Sequence, residues 1–144
     1  TLNSLVGRLI MAAKQIGERP LATLHGDLHL KNFFVTDDRI VQVGLIDLDN
    51  LHCGDPWQDV GSFAAAIHCQ GLIEGKTFDH REQIVRRFAD AYRSNARYEF
   101  SDAALNWHTA AALIGERARR CLIRLKANEL DAIIELANRF SQKL

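Results

Sequence analysis

One stretch of short extended runs, residues 21–49, interrupts an otherwise helical hydrophobic pattern and constrains the fold more than any other feature. The predicted extended runs of this stretch are four or five residues long and mostly apolar, at 22–25, 32–36, 40–43 and 45–48. Runs of that length between polar turn residues are typical of β-strands, and Asp37 with Asp38 can form the turn of a hairpin. We therefore expect a small β-hairpin inside a helical protein.

Helical spacing of apolar residues dominates on both sides of this stretch. It predicts a first helix over residues 3–16, which Gly17 and Pro20 would end. Further helices are expected at residues 58–69, at 80–95, from a Ser101 cap through Gly115 towards Leu122, and from an Asn128 cap to Phe140. The expected fold is α+β, mainly α: a helical bundle with a small β-hairpin, forming a single domain over residues 1–144.

The composition argues against several classes of protein. Eighteen basic residues balance eighteen acidic ones, so no net charge would draw the chain to nucleic acid or to an anionic membrane. No apolar run approaches the roughly 18 residues of a membrane span. Cys53, Cys69 and Cys121 form no paired motif, and we interpret them as buried, reduced thiols. These features favour a cytoplasmic protein that binds neither nucleic acid nor membranes.

The polar residues of the extended stretch are the candidates for chemistry. Asp27 follows a glycine in a predicted loop, Asn32 opens one strand, and Asp47 closes a run that returns to the same end of the hairpin. The hairpin can therefore bring the three side chains together. Two carboxylates and an amide oxygen are hard ligands that suit Mg²⁺ or Mn²⁺. Phosphoryl transfer needs such an ion, together with a carboxylate that accepts the proton of the attacking hydroxyl.

Three motifs, in order along the chain, resemble the signature of a known family. They are residues 25–32 (HGDLHLKN), 46–49 (IDLD) and 54–61 (GDPWQDVG). The interval from Asp27 to Asn32 also equals that between the aspartate and asparagine of the protein-kinase catalytic loop. The chain is thus similar to the kinase-like phosphotransferases that include aminoglycoside, choline and homoserine kinases. This resemblance implies a protein-kinase-like C-terminal lobe whose hairpin carries the catalytic loop.

The resemblance also implies roles for individual residues. Asp27 would be the catalytic base, while Asn32 and Asp47 would hold Mg²⁺ or Mn²⁺ between the phosphates of ATP. His29 occupies the position of the catalytic-loop lysine of protein kinases and would assist at the transferred phosphate. Asp49, two residues beyond Asp47, would point to the same side if the backbone is extended there, and could assist a second metal ion.

Two further residues are expected to support the loop. The resemblance implies that Asp59, at the start of a helix, bonds back to the catalytic loop. We expect His25 to hold the loop in shape through a hydrogen bond rather than to touch substrate.

The same resemblance implies a second lobe that this sequence does not contain. Kinases place a glycine-rich loop and a lysine–glutamate pair in a strand-rich N-terminal lobe, and residues 1–144 include neither. We therefore expect this chain alone to transfer phosphate from ATP to a small-molecule hydroxyl weakly or not at all. The alternative is a non-catalytic binding or scaffold module, which would form a homo-oligomer through the apolar surface where that lobe would pack.

A zinc site is a competing interpretation of the polar stretch. His25, His29, His52 and Cys53 carry ligand types that suit zinc. The H-x-x-x-H spacing faces one side only on a helix, and Gly26 in an extended context disfavours a helix there. We therefore favour the magnesium interpretation.

Two other sets of side chains admit a functional and a structural interpretation. Arg117, Arg120 and Arg124 recur on one helix face and could receive a phosphate or carboxylate of the acceptor. A solvated helix face is the commoner explanation, and we favour it. Trp57 and Trp107 could stack on a sugar or a base, but we expect both to pack in the core.

Overall fold

The computed structural model describes residues 1–16, 20–37, 41–124 and 126–144, and within them the protein is mainly helical with two small antiparallel strand pairs, as predicted. In chain order the elements are α1 (Leu2–Ala13), β1 (Ala22–Leu24), β2 (Phe33–Val35), β3 (Val43–Leu45), β4 (His52–Gly54), α2 (Trp57–Ile73), α3 (Phe78–Asn95), α4 (Asp102–Ala112), α5 (Arg119–Ile123) and α6 (Ala127–Ser141). Single 3₁₀ turns at Leu30–Asn32 and Leu48–Asn50 precede β2 and β4, and a π-helical turn, Leu113–Ala118, joins α4 to α5. Gly17, Asp38 and Ile40, which the sequence assigned to a helix end, a turn and a strand start, lie outside the described residues.

The predicted hairpin is formed by β2 and β3, with Phe33 opposite Leu45 and Val35 opposite Val43. The expectation of two separate runs at 40–43 and 45–48 was wrong, because the strand continues through Gly44, which pairs with Phe34. A second pair, β1 with β4, was not expected. Its three-residue strands are too short to show an alternating pattern, so only their pairing in the fold identifies them.

Two predicted helix caps had different outcomes. Ser101 caps α4, since its hydroxyl accepts a hydrogen bond of 3.1 Å from the Ala104 N–H. Asn128 does not cap α6, which begins at Ala127. The Lys126 N–H bonds the Cys121 carbonyl at 3.0 Å, so the turn between α5 and α6 closes before Asn128 is reached.

Helix α2 lies at the centre of the bundle, and every residue from Val60 to Cys69 is buried. It packs closely on α4: a Cβ at Gly61 would lie 2.5 Å from the Cβ of His108. Glycine at this position therefore sets the distance between the two helices.

Both tryptophans pack against the hydrophobic core, as expected, Trp57 fully buried and Trp107 partly buried. Trp57 is 2% exposed, and the rings of Tyr92, Tyr98 and Phe100 meet it edge-on. Trp107 packs against the main core cluster and donates its indole N–H to a backbone carbonyl of α1 at 2.7 Å. A buried indole that finds a hydrogen-bond acceptor carries no desolvation penalty for its N–H.

The cysteines depart in part from expectation. Cys69 and Cys121 are buried free thiols, as predicted, but Cys53 is exposed. It lies on β4, which pairs only with β1 among the described strands, so the pair is too small to bury both of its faces.

A contiguous segment of the chain exposes many large apolar side chains. Their exposed fractions lie between 47% and 67%, and they are Phe34, Val35, Val41, Val43, Leu45, Ile46, Leu48 and Leu51. We call this set the hairpin apolar residues; Phe34 and Val35 are neighbours on β2 and point to opposite sides of the strand pair, so the set covers both sides. Single exposed apolar residues are ordinary on a protein surface, but a run of this kind is typical of an interaction surface. Among the described residues, no helix combines the length and apolarity that crossing a membrane requires.

Candidate functional site

The loop that follows β1 is anchored on the first turn of α2. The Asp59 carboxylate accepts two backbone hydrogen bonds, from the His25 N–H at 2.6 Å and from the Gly26 N–H at 3.0 Å. The bond back to the loop that the sequence predicted for Asp59 is therefore present. A carboxylate that accepts two N–H groups holds a loop more firmly than a neutral acceptor would, because charge-assisted hydrogen bonds are the stronger class.

His25 joins the same loop to the end of the hairpin. Its buried ring lies with Nε2 2.9 Å from the Ile46 carbonyl oxygen. A carbonyl can only accept, so Nε2 carries the proton, and Nδ1 faces the Asp27 N–H at 3.4 Å. The side chain is occupied with backbone groups, as expected for a residue that shapes the loop.

Gly26 lets the loop approach the hairpin end closely. Its φ is 81°, in the left-handed region that side chains other than glycine rarely adopt. A Cβ at this position would lie 3.0 Å from the Cβ of Asn50 and still closer to its carbonyl oxygen. The glycine of the HGD motif thus has a structural reason that is independent of any chemistry.

Asn32 ties the backbone of Asp27 to the chain that leads into Asp47. The buried side-chain amide donates from Nδ2 to the Asp27 backbone carbonyl at 2.9 Å. The backbone carbonyl of Asn32 accepts from the Ile46 N–H at 3.0 Å. Both bonds bring the three candidate residues to the same end of the hairpin, as the strand pattern predicted. Because Nδ2 is used in this bond, the amide oxygen is the atom of Asn32 that a metal ion would bind.

Asp47 has an unusual backbone. Its φ of 62° and ψ of 59° are left-handed, and within the described ranges it is the one residue other than glycine with a positive φ. Such a conformation costs roughly 1–2 kcal/mol, although aspartate tolerates it better than most residues. The side chain is exposed, as is that of Asp49 in the following 3₁₀ turn.

The Asp27 carboxylate is half-buried between two cationic or titratable side chains. His29 Nε2 lies 3.6 Å from Oδ2, and Arg120 Nη2 lies 3.9 Å from Oδ1. His29 was expected here from the motif. For Arg120 the sequence left a role at the acceptor as the less favoured interpretation, and only the packing of α5 brings this residue, far from Asp27 along the chain, near the carboxylate.

The structure does not assemble the competing zinc site. In the part of the chain that the structure describes, no three histidine, cysteine, aspartate or glutamate side chains are placed to share a metal ion. The His25 Nε2 faces the Ile46 carbonyl, and the His52 Nδ1 lies 2.9 Å from the Asn50 carbonyl. The hard oxygen donors of Asn32 and Asp47 fit magnesium, which typically uses one or two carboxylates and completes its shell with water and phosphate oxygens.

The arginines of the π-helical turn and α5 are solvated only in part. Arg120 and Arg124 are exposed, as the favoured sequence interpretation expected, but Arg117 is only 12% exposed. All three line a cavity that also contains His29, so the interpretation holds for two of them and is wrong for Arg117. Helical spacing placed the three residues on one face correctly, but whether that face meets solvent or another element depends on tertiary packing.

A further polar pair supports the start of α2. His108 on α4 has Nε2 3.1 Å from the Asp55 Oδ2, and Asp55 Oδ1 accepts from the Trp57 N–H at 2.9 Å. The sequence signal was available, since Asp55 belongs to the third motif, but no role was assigned to it. The contact links α4 to the helix that carries Asp59.

The comparison with protein families agrees with the motifs. Residues 7–75 match the model of the family APH, described as the phosphotransferase enzyme family. The matched segment contains the anchored loop, both strand pairs and α2. The match confirms the resemblance to kinase-like phosphotransferases and supports a general phosphotransfer function. Neither a curated protein nor a solved structure gives a match.

Proposed function

We propose that the protein carrying this chain transfers the γ-phosphoryl group of ATP to a hydroxyl of a small molecule, with Mg²⁺ or Mn²⁺ as cofactor. The supporting observation is the loop held by Asp59, His25 and Asn32, which presents the Asp27 carboxylate next to His29 within the segment that matches the phosphotransferase family. A loop fixed at several backbone atoms is the kind of scaffold on which catalytic positioning depends.

In this proposal Asp27 orients the acceptor and takes its proton. The acceptor oxygen attacks the γ-phosphorus, the bond to the β–γ bridging oxygen breaks, ADP leaves, and the hydroxyl proton passes to the carboxylate. His29, whose Nε2 lies 3.6 Å from that carboxylate, would donate a hydrogen bond to an oxygen of the transferred group.

Asn32 and Asp47 would hold the metal ion. The second-metal role expected for Asp49 required an extended backbone, but Asp47 is left-handed and Asp49 lies in a 3₁₀ turn, so that role is not part of the proposal. Bound magnesium neutralises negative charge on the phosphates. The left-handed backbone of Asp47 aids this role, since a strained residue kept at the end of a hairpin is typical of a functional position.

The transfer is tested by ADP release from Mg·ATP in the full-length gene product, against choline, homoserine, an aminoglycoside and D-glycerate. Asp27→Asn is expected to lower kcat by roughly 10²–10⁴-fold while ATP affinity changes little, because a general base acts on the acceptor and not on the nucleotide. Residues 1–144 alone are expected to turn over slowly or not at all. An Asp27→Asn protein that keeps a near-parental kcat would refute the role of Asp27.

The metal ligands have a separate test. Asp47→Asn is expected to raise the Mg²⁺ concentration for half-maximal ADP release by about tenfold or more, since a charged ligand is replaced by a neutral one. Asp37→Asn, an exposed carboxylate on the same hairpin, is the matched control and should leave the magnesium dependence unchanged. Equal behaviour of the two variants would remove Asp47 from the metal site.

The hairpin apolar residues support a second candidate function, a binding or scaffold module that forms a homo-oligomer. Phe34 is 61% exposed, and burial of such side chains between copies would be favourable. Light scattering should then give at least twice the 16.2 kDa of one chain. Phe34→Glu should dissociate the oligomer, whereas Met11→Glu, at a similarly exposed apolar residue of α1, should not. A strictly monomeric parent chain would contradict this candidate.

A further inference from the structure

A cavity of about 240 Å³ lies beside the candidate catalytic loop, and its lining is strongly basic. Residues of the loop, α2, the π-helical turn, α5 and α6 contribute to it. Its cationic side chains are Lys31, Arg117, Arg120, Arg124 and Lys126. Glu129 is the one carboxylate in the described lining. We call this space the arginine cavity.

The positive charge of the arginine cavity is not cancelled by its neighbours. Lys126 pairs with Glu129 at 2.7 Å. From outside the lining, Glu116 lies 3.6 Å from the Arg117 guanidinium, and Asp27 lies 3.9 Å from that of Arg120. Even when both are counted, five cations face three carboxylates, so the cavity keeps an excess of positive charge.

The two thiols in the lining do not offset this charge. Burial raises the pKa of Cys69 to about 12, and burial likewise raises the pKa of Cys121. Both thiols are therefore protonated and neutral at ordinary pH.

Arg117 is the best indication that the cavity binds an anion. Its side chain is only 12% exposed, and its Nε and Nη2 atoms are buried without a hydrogen-bond acceptor among the described residues, since the Glu116 carboxylate lies 3.6 Å from Nη2, beyond hydrogen-bond distance. Buried guanidinium donors without acceptors are costly, and a native protein normally satisfies them. The residue lies in the π-helical turn, a local geometry that occurs frequently at functional sites.

The arginine cavity and the candidate base are continuous. His29 and Arg120 both line the cavity, and both lie within 4 Å of the Asp27 carboxylate, at 3.6 and 3.9 Å. One small molecule can therefore place a hydroxyl at Asp27 while an anionic group occupies the cavity. The volume is below the roughly 300–1,000 Å³ of sites for drug-sized ligands, which suits a compact acceptor.

We propose that the arginine cavity is the acceptor subsite and binds an oxyanion, so that the acceptor is a small hydroxylated carboxylate or phosphate and not a cation. This inference rests on the proposed phosphotransfer function and names its substrate class. Guanidinium groups favour carboxylate and phosphate because their planar N–H pairs match the spacing of two oxygens. A polycationic acceptor would instead meet an excess of like charge.

The test is equilibrium binding to the full-length gene product in the absence of ATP, measured by titration calorimetry. Four probes carry a hydroxyl and differ in charge: D-glycerate, glycerol 3-phosphate, glycerol and choline. At least one of the two anions is expected to bind at least tenfold more tightly than glycerol and choline. Tighter binding of D-glycerate would identify a carboxylate acceptor, and tighter binding of glycerol 3-phosphate a phosphate acceptor. Absence of binding by both anions, or equal binding of choline, would overturn the proposal.

Variants distinguish a specific anion-binding subsite from non-specific attraction of anions by the positive charge of this surface. Arg120→Gln and Arg124→Gln should each weaken anion binding roughly tenfold, the loss expected when a charge-assisted contact is removed. Arg119→Gln is the matched control, because Arg119 has the same charge as Arg120, is exposed like it and is its neighbour on α5, but does not line the cavity. It should change the Kd less than twofold. Equal losses in all three variants would indicate attraction by net charge alone and refute the subsite.

The two proposals fail in different ways. Asp27→Asn should lower kcat for ADP release roughly 10²–10⁴-fold, whereas anion binding should persist, since every cationic side chain of the cavity lining is retained. If anion binding depends on Arg120 but ADP release does not depend on Asp27, the subsite stands and the catalytic assignment is wrong. If ADP release depends on Asp27 but no anion binds, the assignment stands and the acceptor is not an anion.

Discussion

Asp59→Asn tests whether α2 holds the loop that carries Asp27. The parent carboxylate accepts from two backbone N–H groups, at 2.6 and 3.0 Å. Asparagine has one oxygen and one NH₂ group at the same positions. It can therefore accept only one of the two hydrogen bonds, and that one without a formal charge. Its NH₂ group faces the other backbone N–H, and because both groups are donors they cannot form a hydrogen bond.

The magnitude follows from these two contacts. A hydrogen bond to a charged group contributes about 1.5–3 kcal/mol, and a donor left without an acceptor costs about 1–3 kcal/mol. Losing one bond and weakening the other should lower the free energy of unfolding by about 3 kcal/mol. With a urea dependence of about 2 kcal/mol per molar, the midpoint of unfolding should fall by roughly 1.5 M.

Equilibrium unfolding in urea measures this change directly. Trp57 lies two residues from Asp59 and is 2% exposed, so its fluorescence reports on this part of the fold. Asp131→Asn, an exposed carboxylate on α6, is the charge-matched control and should shift stability by no more than about 0.5 kcal/mol. If Asp59→Asn stays within that same margin, the carboxylate does not stabilise the loop and the reasoning fails.

Two further predictions concern packing and acid stability. Gly61→Ala should destabilise the protein by about 1–3 kcal/mol or more in a thermal unfolding scan, because the added Cβ would lie 2.5 Å from the His108 Cβ. Gly7→Ala is the control: it has open space around it on α1 and should be neutral or stabilising in the same scan. The His68 imidazole, 3.5 Å away, lowers the pKa of the Glu82 carboxyl from 4.5 to about 2, so the folded state binds this proton less readily than the unfolded state. The contribution of Glu82 to stability is therefore fully present above pH 4.5 and is lost as the pH falls towards 2. Glu82→Gln should flatten the loss of unfolding free energy over that window, and a variant whose acid curve runs parallel to the parent's would contradict the assignment.

The candidate site was predictable to the extent that it depends on local geometry. Asp27 and Asn32 lie in one loop, and Asp47 follows the strand that pairs with the one Asn32 opens. A hairpin brings the ends of its two strands together whatever surrounds it, so residue spacing was enough. The bond from Asp59 to the loop was expected from the resemblance alone, since no spacing rule relates a helix terminus to a loop so far along the chain.

The sequence by itself determined the helices, the hairpin and the identity of the polar residues at its end, because periodicity and turn chemistry act over a few neighbouring residues. Tertiary structure decided the features that depend on contacts between residues far apart in the sequence. It paired β1 with β4, left Cys53 exposed, and folded α5 so that Arg120 lies 3.9 Å from Asp27. A helix face carries no local information on whether it meets water or another part of the protein. For that reason Arg117 could be read as solvated from its spacing, while its burial beside the loop follows only from the packing of the whole bundle.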